Sequence, residues 1–129
     1  MPTINQLIKK KRKIKKRRTK VLSLKSCPQR KGVCIEIRNN VSPKKPNSAK
    51  RKVAKVKLTT GRHVLAAIPG QGHNLQKFSI VMVRGGRARD IPGIRYKLIK
   101  GKYDFSLYER IERKKSRSKY GYPKIKKNK

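Results

Sequence analysis

The chain has 129 residues, of which 40 are Lys or Arg and five are Asp or Glu, a formal net charge of +35. Only 34% of them are apolar, enough for one small domain and not for two. Self-repulsion on this scale destabilises a compact state, so the composition excludes a self-sufficient, charge-balanced globule and asks for a polyanion. Nucleic acid, with a phosphate at every nucleotide, is the largest natural one.

In chain order, Thr3-Ile4-Asn5-Gln6 has the form of a capping box, in which two side chains satisfy each other's free backbone N–H groups and start a helix. A basic block follows: ten of the twelve residues from Lys9 to Lys20 are cationic (Lys9, Lys10, Lys11, Arg12, Lys13, Lys15, Lys16, Arg17, Arg18 and Lys20). With no apolar stripe to bury, this block is expected to be an extended arm that contacts phosphates. It contains one apolar residue, Ile14, and no Ser, which is unlike a mitochondrial transit peptide, and no hydrophobic stretch follows it as in a secretory signal. No apolar run reaches transmembrane length, and no membrane partner is expected.

Five short strands come next. Val33, Ile35 and Ile37 alternate with Cys34, Glu36 and Arg38 between Gly32 and Asn39, which is strand period. Ala54, Val56 and Leu58 alternate with Lys55, Lys57 and Thr59, giving one buried and one cationic face. Val64–Ile68, Ile80–Val83 and Arg95–Ile99 complete the set, each bounded by Gly or Pro turns; Tyr96, Leu98 and Lys100 share one face of the last. Five strands in about seventy residues, with no helical pattern between them, predict an all-β fold, a small closed barrel of the oligonucleotide-binding type or an SH3-like barrel. The expected organisation is a short helix and basic arm over 1–31, the barrel over 32–100 and a basic tail over 101–129. In the last seventeen residues of that tail nine are basic and none acidic.

Two loops carry the nucleic-acid chemistry. In the first, Pro43 and Pro46 restrict the backbone and present Lys44, Lys45, Asn47 and Ser48 outward. Lysine offers charge to phosphates, and Asn and Ser offer donors and acceptors to sugars and base edges. In the second, Arg84-Gly85-Gly86-Arg87-Ala88-Arg89-Asp90-Ile91-Pro92-Gly93, paired glycines permit close backbone approach and arginine forks suit phosphate or guanine. Asp90 is expected to pair with one of these three arginines. In the tail, Tyr120 and Tyr122 are candidates for stacking on bases, beside Arg117 and Lys119, and Tyr96 is expected in the core.

Other chemistry lacks its residues. Cys27 and Cys34 with the distant His63 and His73 do not make a four-ligand metal site, and the cysteines are expected to be free. Gly70-Gln71-Gly72-His73-Asn74 is not a dinucleotide fingerprint, since no third glycine and no helix pattern follow; His73 is expected to be a turn residue. The five carboxylates are scattered, with no nucleophile–base pair, so neither catalysis nor a cofactor or metal is expected.

The strings Pro2–Leu7, Cys27–Cys34, Pro43–Ala49, Gly72–Gln76, Val83–Arg87, Asp90–Tyr96 and Arg117–Gly121 together resemble the small-subunit ribosomal protein of the S-twelve family, in its bacterial and organellar form. The resemblance implies the oligonucleotide-binding-type barrel with a long N-terminal arm, placed beside the decoding centre. It implies small-subunit ribosomal RNA and neighbouring small-subunit ribosomal proteins as partners. It also implies transient contact with the messenger RNA–transfer RNA decoding complex and elongation factors. By the same resemblance Lys44, Lys45, Pro46, Asn47 and Ser48 approach the monitored codon–anticodon groove, and Lys44 matches a lysine linked to streptomycin response. Arg84, Gly85, Gly86, Arg87, Arg89, Asp90, Pro92 and Gly93 form the second RNA-facing loop, where Arg89 stands in place of the family's usual lysine; this bears on drug response and on modification of Asp90. Lys50 and Phe78 also depart from the family pattern, and the segment Lys102–Glu112 departs furthest. The lysine- and isoleucine-rich composition points to an organelle-encoded version, mitochondrial first and plastid second. Beside it stands a different class, a free-standing single-strand RNA binder of cold-shock type, which would carry aromatics on the barrel face where Ala54–Leu58 presents lysines.

Overall fold

The computed structural model describes residues 1–46, 48–107 and 113–124. Helix α1, Ile4–Lys9, begins at the capping box: Gln6 N–H donates to Thr3 Oγ1 (3.4 Å) and Thr3 N–H to Gln6 Oε1 (3.0 Å). With no apolar partner to pack against, it buries none of its residues. Residues 11–19 have no regular structure and are exposed throughout.

Strands β1 (Gln29–Val41), β2 (Arg51–Leu58), β3 (His63–Ala67), β4 (Ile80–Gly85) and β5 (Tyr96–Leu98) close a barrel in the order β1-β2-β3-β5-β4. All neighbours are antiparallel except β3 and β5, where Ala66 faces Tyr96 in parallel register. The barrel is of the oligonucleotide-binding type. Closure depends on β1, whose 13 residues pair with β2 along one edge and with β4 along the other. Such a strand must bend, and register shifts at Cys34/Glu36 and Arg38/Val41 provide the bend. The first shift also changes which side faces inward: Gly32 and Cys34 before it are buried, Ile37 after it packs against the core, and Val33 and Ile35 are only partly covered. Gly32 is required where β1 crosses β2, because a Cβ there would lie 2.5 Å from Val56 Cγ1 and 2.8 Å from the Lys57 carbonyl oxygen.

The core joins Cys34, Val56, Leu58, Val81, Val83 and Leu98 from the strands with Leu24, Leu75 and Phe105 from outside them. The folded body is therefore longer at both ends than the expected 32–100. At the front, a 3₁₀ turn over Leu22–Leu24 seats Leu24 in the barrel. Ser23 N–H donates to the Tyr96 hydroxyl (3.2 Å), and Arg30 Nε to the Leu24 carbonyl (3.0 Å). At the back, Phe105 is fully buried. A short barrel leaves an open end, and these apolar plugs remove it from water, each contributing about 2 kcal/mol or more. Helix α2, Arg117–Tyr120, ends at Gly121, whose φ of 75° suits glycine.

Candidate nucleic-acid interface

Loop 84–93 is more than a turn. Ala88, Ile91 and Ile94 are buried against Val53, with Val41 and Ala67 beside them, as a second small core. Gly86 N–H donates to the Arg95 carbonyl and Ala88 N–H to that of Ile94, both at 3.1 Å. With Ala88, Ile91 and Ile94 anchored inward, Arg84, Arg87 and Arg89 are left exposed on the outer side, with Pro92 and Gly93 exposed at the tip. The two glycines divide their work. Gly85 leaves room for Val21, whose Cγ1 would lie 3.3 Å from a Cβ at that position, so its small size serves packing of the chain itself. Gly86, at φ 155°, adopts backbone that L side chains rarely take.

The two loops are joined. Lys44 N–H donates to the Asp90 carbonyl at 2.7 Å, and the Asp90 carboxylate accepts from Arg51 Nε at 2.7 Å. Asp90 thus pairs with Arg51, at the start of β2, and not with the arginines of its own loop. The reason is geometric: those arginines project outward while the carboxylate faces the neighbouring strand. Lys44, Lys45, Pro46 and Ser48 are exposed beside this junction; Asn47 lies outside the described residues.

Behind the loops runs an open groove of about 1090 Å³. Arg84, Arg87 and Arg89 line it from the second loop, Lys50, Arg51 and Lys52 from the approach to β2, and Lys97 from β5. Arg113, Lys119 and Tyr120 close it from the tail. Among the described lining residues nine are cationic and one, Asp90, is acidic. Two sequence-expected sites, the arginine loop and Lys119–Tyr120, are therefore brought together. Arg113 guanidinium stacks 3.8 Å from the Tyr120 ring centroid, with Lys119 Nζ at 5.9 Å. Arg117 is partly covered and does not line the groove. Tyr122 serves structure instead: its hydroxyl donates to the Leu107 carbonyl. Sequence reasoning missed Lys50, Arg51, Lys52, Lys97 and Arg113 as members of one surface. Period-two alternation already marks Lys97, between buried Tyr96 and Leu98, as outward; which groove it enters depends on pairing. The arm cations, Lys9 to Lys20, stand apart from this groove and are exposed.

The remaining polar chemistry is used internally. The three described carboxylates are all engaged: Glu36 with Arg38 (2.8 Å), Asp90 with Arg51, and Asp104 with the Ile80 N–H (2.7 Å). The Arg38 hydrogen bond holds the Glu36 carboxyl below its usual range. His73 Nδ1 accepts from Leu75 N–H and its Nε2 meets Asn39 Oδ1, both at 3.2 Å, so it ties its turn to β1. Burial, and then the charges of Lys52 and Lys100, push its pKa down. Both cysteines are free; burial pushes the Cys34 thiol up to about 11, and Cys27 Sγ accepts from Arg30 Nη2 at 3.0 Å. Among the described residues no three His, Cys, Asp or Glu side chains gather to hold a metal, and no helix is long and apolar enough to cross a membrane.

Residues 8–128 match the family described as Ribosomal protein S12/S23. The chain is also similar to the Small ribosomal subunit protein uS12m of Acanthamoeba castellanii, 60% identical over 127 residues that cover 98% of this chain and 99% of the relative. A match along nearly the whole length, arm and tail included, goes beyond a shared barrel: this chain belongs to the ribosomal protein S12/S23 family.

Proposed function

We propose that this protein is a structural constituent of the mitochondrial small ribosomal subunit, where it binds ribosomal RNA beside the decoding centre and sets translational accuracy. It performs no catalysis. Its partners are the small-subunit RNA, neighbouring subunit proteins and, transiently, the messenger RNA–transfer RNA complex with elongation factors. Family membership and the relative's name support the place in the small subunit. The lysine- and isoleucine-rich composition and the uS12m relative support the organelle.

The observation that carries the decoding role is the bond from Lys44 N–H to the Asp90 carbonyl. It makes the two loops one rigid presenter on a barrel end, so that RNA contacts made by one are registered to those of the other. The arm then supplies bulk charge that positions the protein without reading sequence. If the closed, codon-monitoring arrangement of RNA brings phosphates nearer Lys44 than the open one does, Lys44 favours closure by the difference between the two contacts. A difference of about 1.4 kcal/mol changes that equilibrium tenfold.

Lys44→Ala is expected to reduce misreading of near-cognate codons, at some cost in speed, while subunit yield is unchanged. Misreading by ribosomes carrying the substitution, measured beside subunit yield, tests this. Unchanged misreading with reduced yield would reassign Lys44 to structural phosphate binding. Sedimentation of tagged protein with the mitochondrial small subunit tests the location.

A further inference from the structure

We infer that Tyr103 is a stacking platform for one unpaired RNA base, on a face of the barrel away from the decoding loops. This deepens the RNA-binding reading and rests on it, but the site shares no residue with the cationic groove. Tyr103 is 48% exposed, a large ring left in water in a chain with few aromatics. Lys31 Nζ and Lys102 Nζ each lie over it, 5.3 Å from its centroid.

The ring is held out by its surroundings. Tyr103 sits at the tip of a tight turn in which Lys102 bridges to Phe105 and Gly101 N–H donates to the Phe105 carbonyl at 2.7 Å. Its φ is 52°, a left-handed conformation that bulky side chains rarely adopt. Glycine would relieve that strain, and the structure holds the tyrosine there nonetheless. Four hydrogen bonds pin the turn. Asp104 N–H donates to the Ile80 carbonyl (3.1 Å), and Ile80 N–H to the Asp104 carboxylate (2.7 Å). Asn74 Nδ2 donates to the Asp104 carbonyl (3.0 Å) and accepts at its own Oδ1 from Ser106 N–H (3.2 Å). Phe105, two residues on, is locked in the core. The backbone that carries the ring therefore has little conformational freedom to lose on binding, which favours a strong contact.

Charge identifies the occupant. Lys31 projects from β1 opposite Met82 of β4 and borders a shallow hollow of about 320 Å³ that also includes Lys57. An aromatic face among lysines fits a base with its flanking phosphates. A lysine over an exposed ring gains about two- to fivefold in equilibrium terms. A stacked base gains roughly 5- to 150-fold. The base therefore displaces one ammonium from a ring face, and that ammonium turns to a phosphate. Tyr103 is anchored at Ile80, whereas the groove takes Arg84 of the same strand. At about 3.3 Å per residue the two are roughly 13 Å apart along β4, and Tyr103, Lys31 and Lys102 are not among the groove's lining residues.

The test compares two RNA hairpins, one fully paired and one with a single bulged 2-aminopurine, binding to the full chain. The native chain is expected to bind the bulged hairpin about tenfold more tightly, with quenching of the bulged base. Tyr103→Ala is expected to lose that preference while keeping its affinity for the paired hairpin and its salt dependence; Tyr103→Phe keeps the preference. Tyr103→Gly separates stacking from folding, because it is expected to melt at a higher temperature than the native chain and still lose the preference. A preference that survives Tyr103→Ala, or that disappears in Phe78→Ala or Tyr120→Ala instead, overturns the inference. Equal affinity for both hairpins with a steep salt dependence overturns it alone. Failure to bind either hairpin overturns the RNA-binding reading and this inference with it.

Discussion

The arm from Lys9 to Lys20 and strand β2 are both rich in lysine, and they use it differently. In the arm ten of twelve residues are cationic, none has an apolar face to bury, and the backbone over residues 11–19 is irregular. In β2, Lys55 and Lys57 alternate with buried Val56 and Leu58, and the register against β1 and β3 fixes where each lysine stands. The same residue type is bulk counter-charge in one region and a placed group in the other. What separates them is whether neighbouring side chains bury enough apolar surface to offset the entropy of ordering the backbone. The groove beside the loops belongs to the second kind: its arginines are held because Ala88, Ile91 and Ile94 are buried beneath them.

The largest expected effect tests the arm. If the chain neutralises ~10 phosphates, its affinity for RNA falls roughly 10⁵-fold between about 50 and 200 mM salt, with a log–log slope near −7 to −9. Deleting residues 9–20 is expected to flatten that slope by several units while the far-ultraviolet circular dichroism of the barrel is kept. A slope shallower than about −3 in the intact chain would show that the arms do not bind phosphate.

A smaller effect sharpens the comparison from the side of the barrel. Phe105→Ala empties a fully buried site and is expected to cost about 3–5 kcal/mol in urea unfolding. Ile14→Ala, at a residue 93% exposed in the arm, is expected to stay within about 0.5 kcal/mol. Equal losses at the two positions would erase the distinction between body and arm.

The smallest effect concerns pH. His73 has its pKa held below the ordinary 6.5 by burial and by Lys52 and Lys100. The folded state thus binds fewer protons than the unfolded one, and stability rises with pH. The His73 contribution is complete above about 6.5 and is lost as pH falls through the lower folded value. The arm contains no Asp, Glu or His. Urea unfolding of the free chain between about pH 7 and 5 should show this decline, and His73→Gln should remove it; a decline that persists in the variant belongs to another group.

Much of the fold was legible because its signals are local. The capping box at Thr3 and Gln6 needs four residues, and the alternation in Ala54–Leu58 or Tyr96–Leu98 needs five at most. All five expected strands exist, with ends shifted by up to three residues. Phe105 was less legible: it lies in a stretch with no strand period, and only the turn pinned by Asp104 and Asn74 directs it inward. Its burial carries the body past the expected end at 100, as that of Leu24 carries its start ahead of 32. The Asp90 partner was misplaced for a related reason. Arg84, Arg87 and Arg89 are near in sequence, but Arg51, 39 residues away, is near in space.

The sequence by itself determined the charge, the need for a polyanion, the strands, the two loops and the family, because composition, short-range periodicity and ordered motifs are properties of the chain alone. Tertiary structure decided what depends on residues far apart in sequence. The register shift after Cys34 in β1 brought Ile37 against the core. The antiparallel pairing of β4 with β5 set Lys97 opposite Arg84. The Lys44–Asp90 bond made two loops into one surface, and the turn at Tyr103 held a half-exposed ring on left-handed backbone. Each of these is a long-range contact, stabilised by burial and hydrogen bonds that exist only once the barrel has closed.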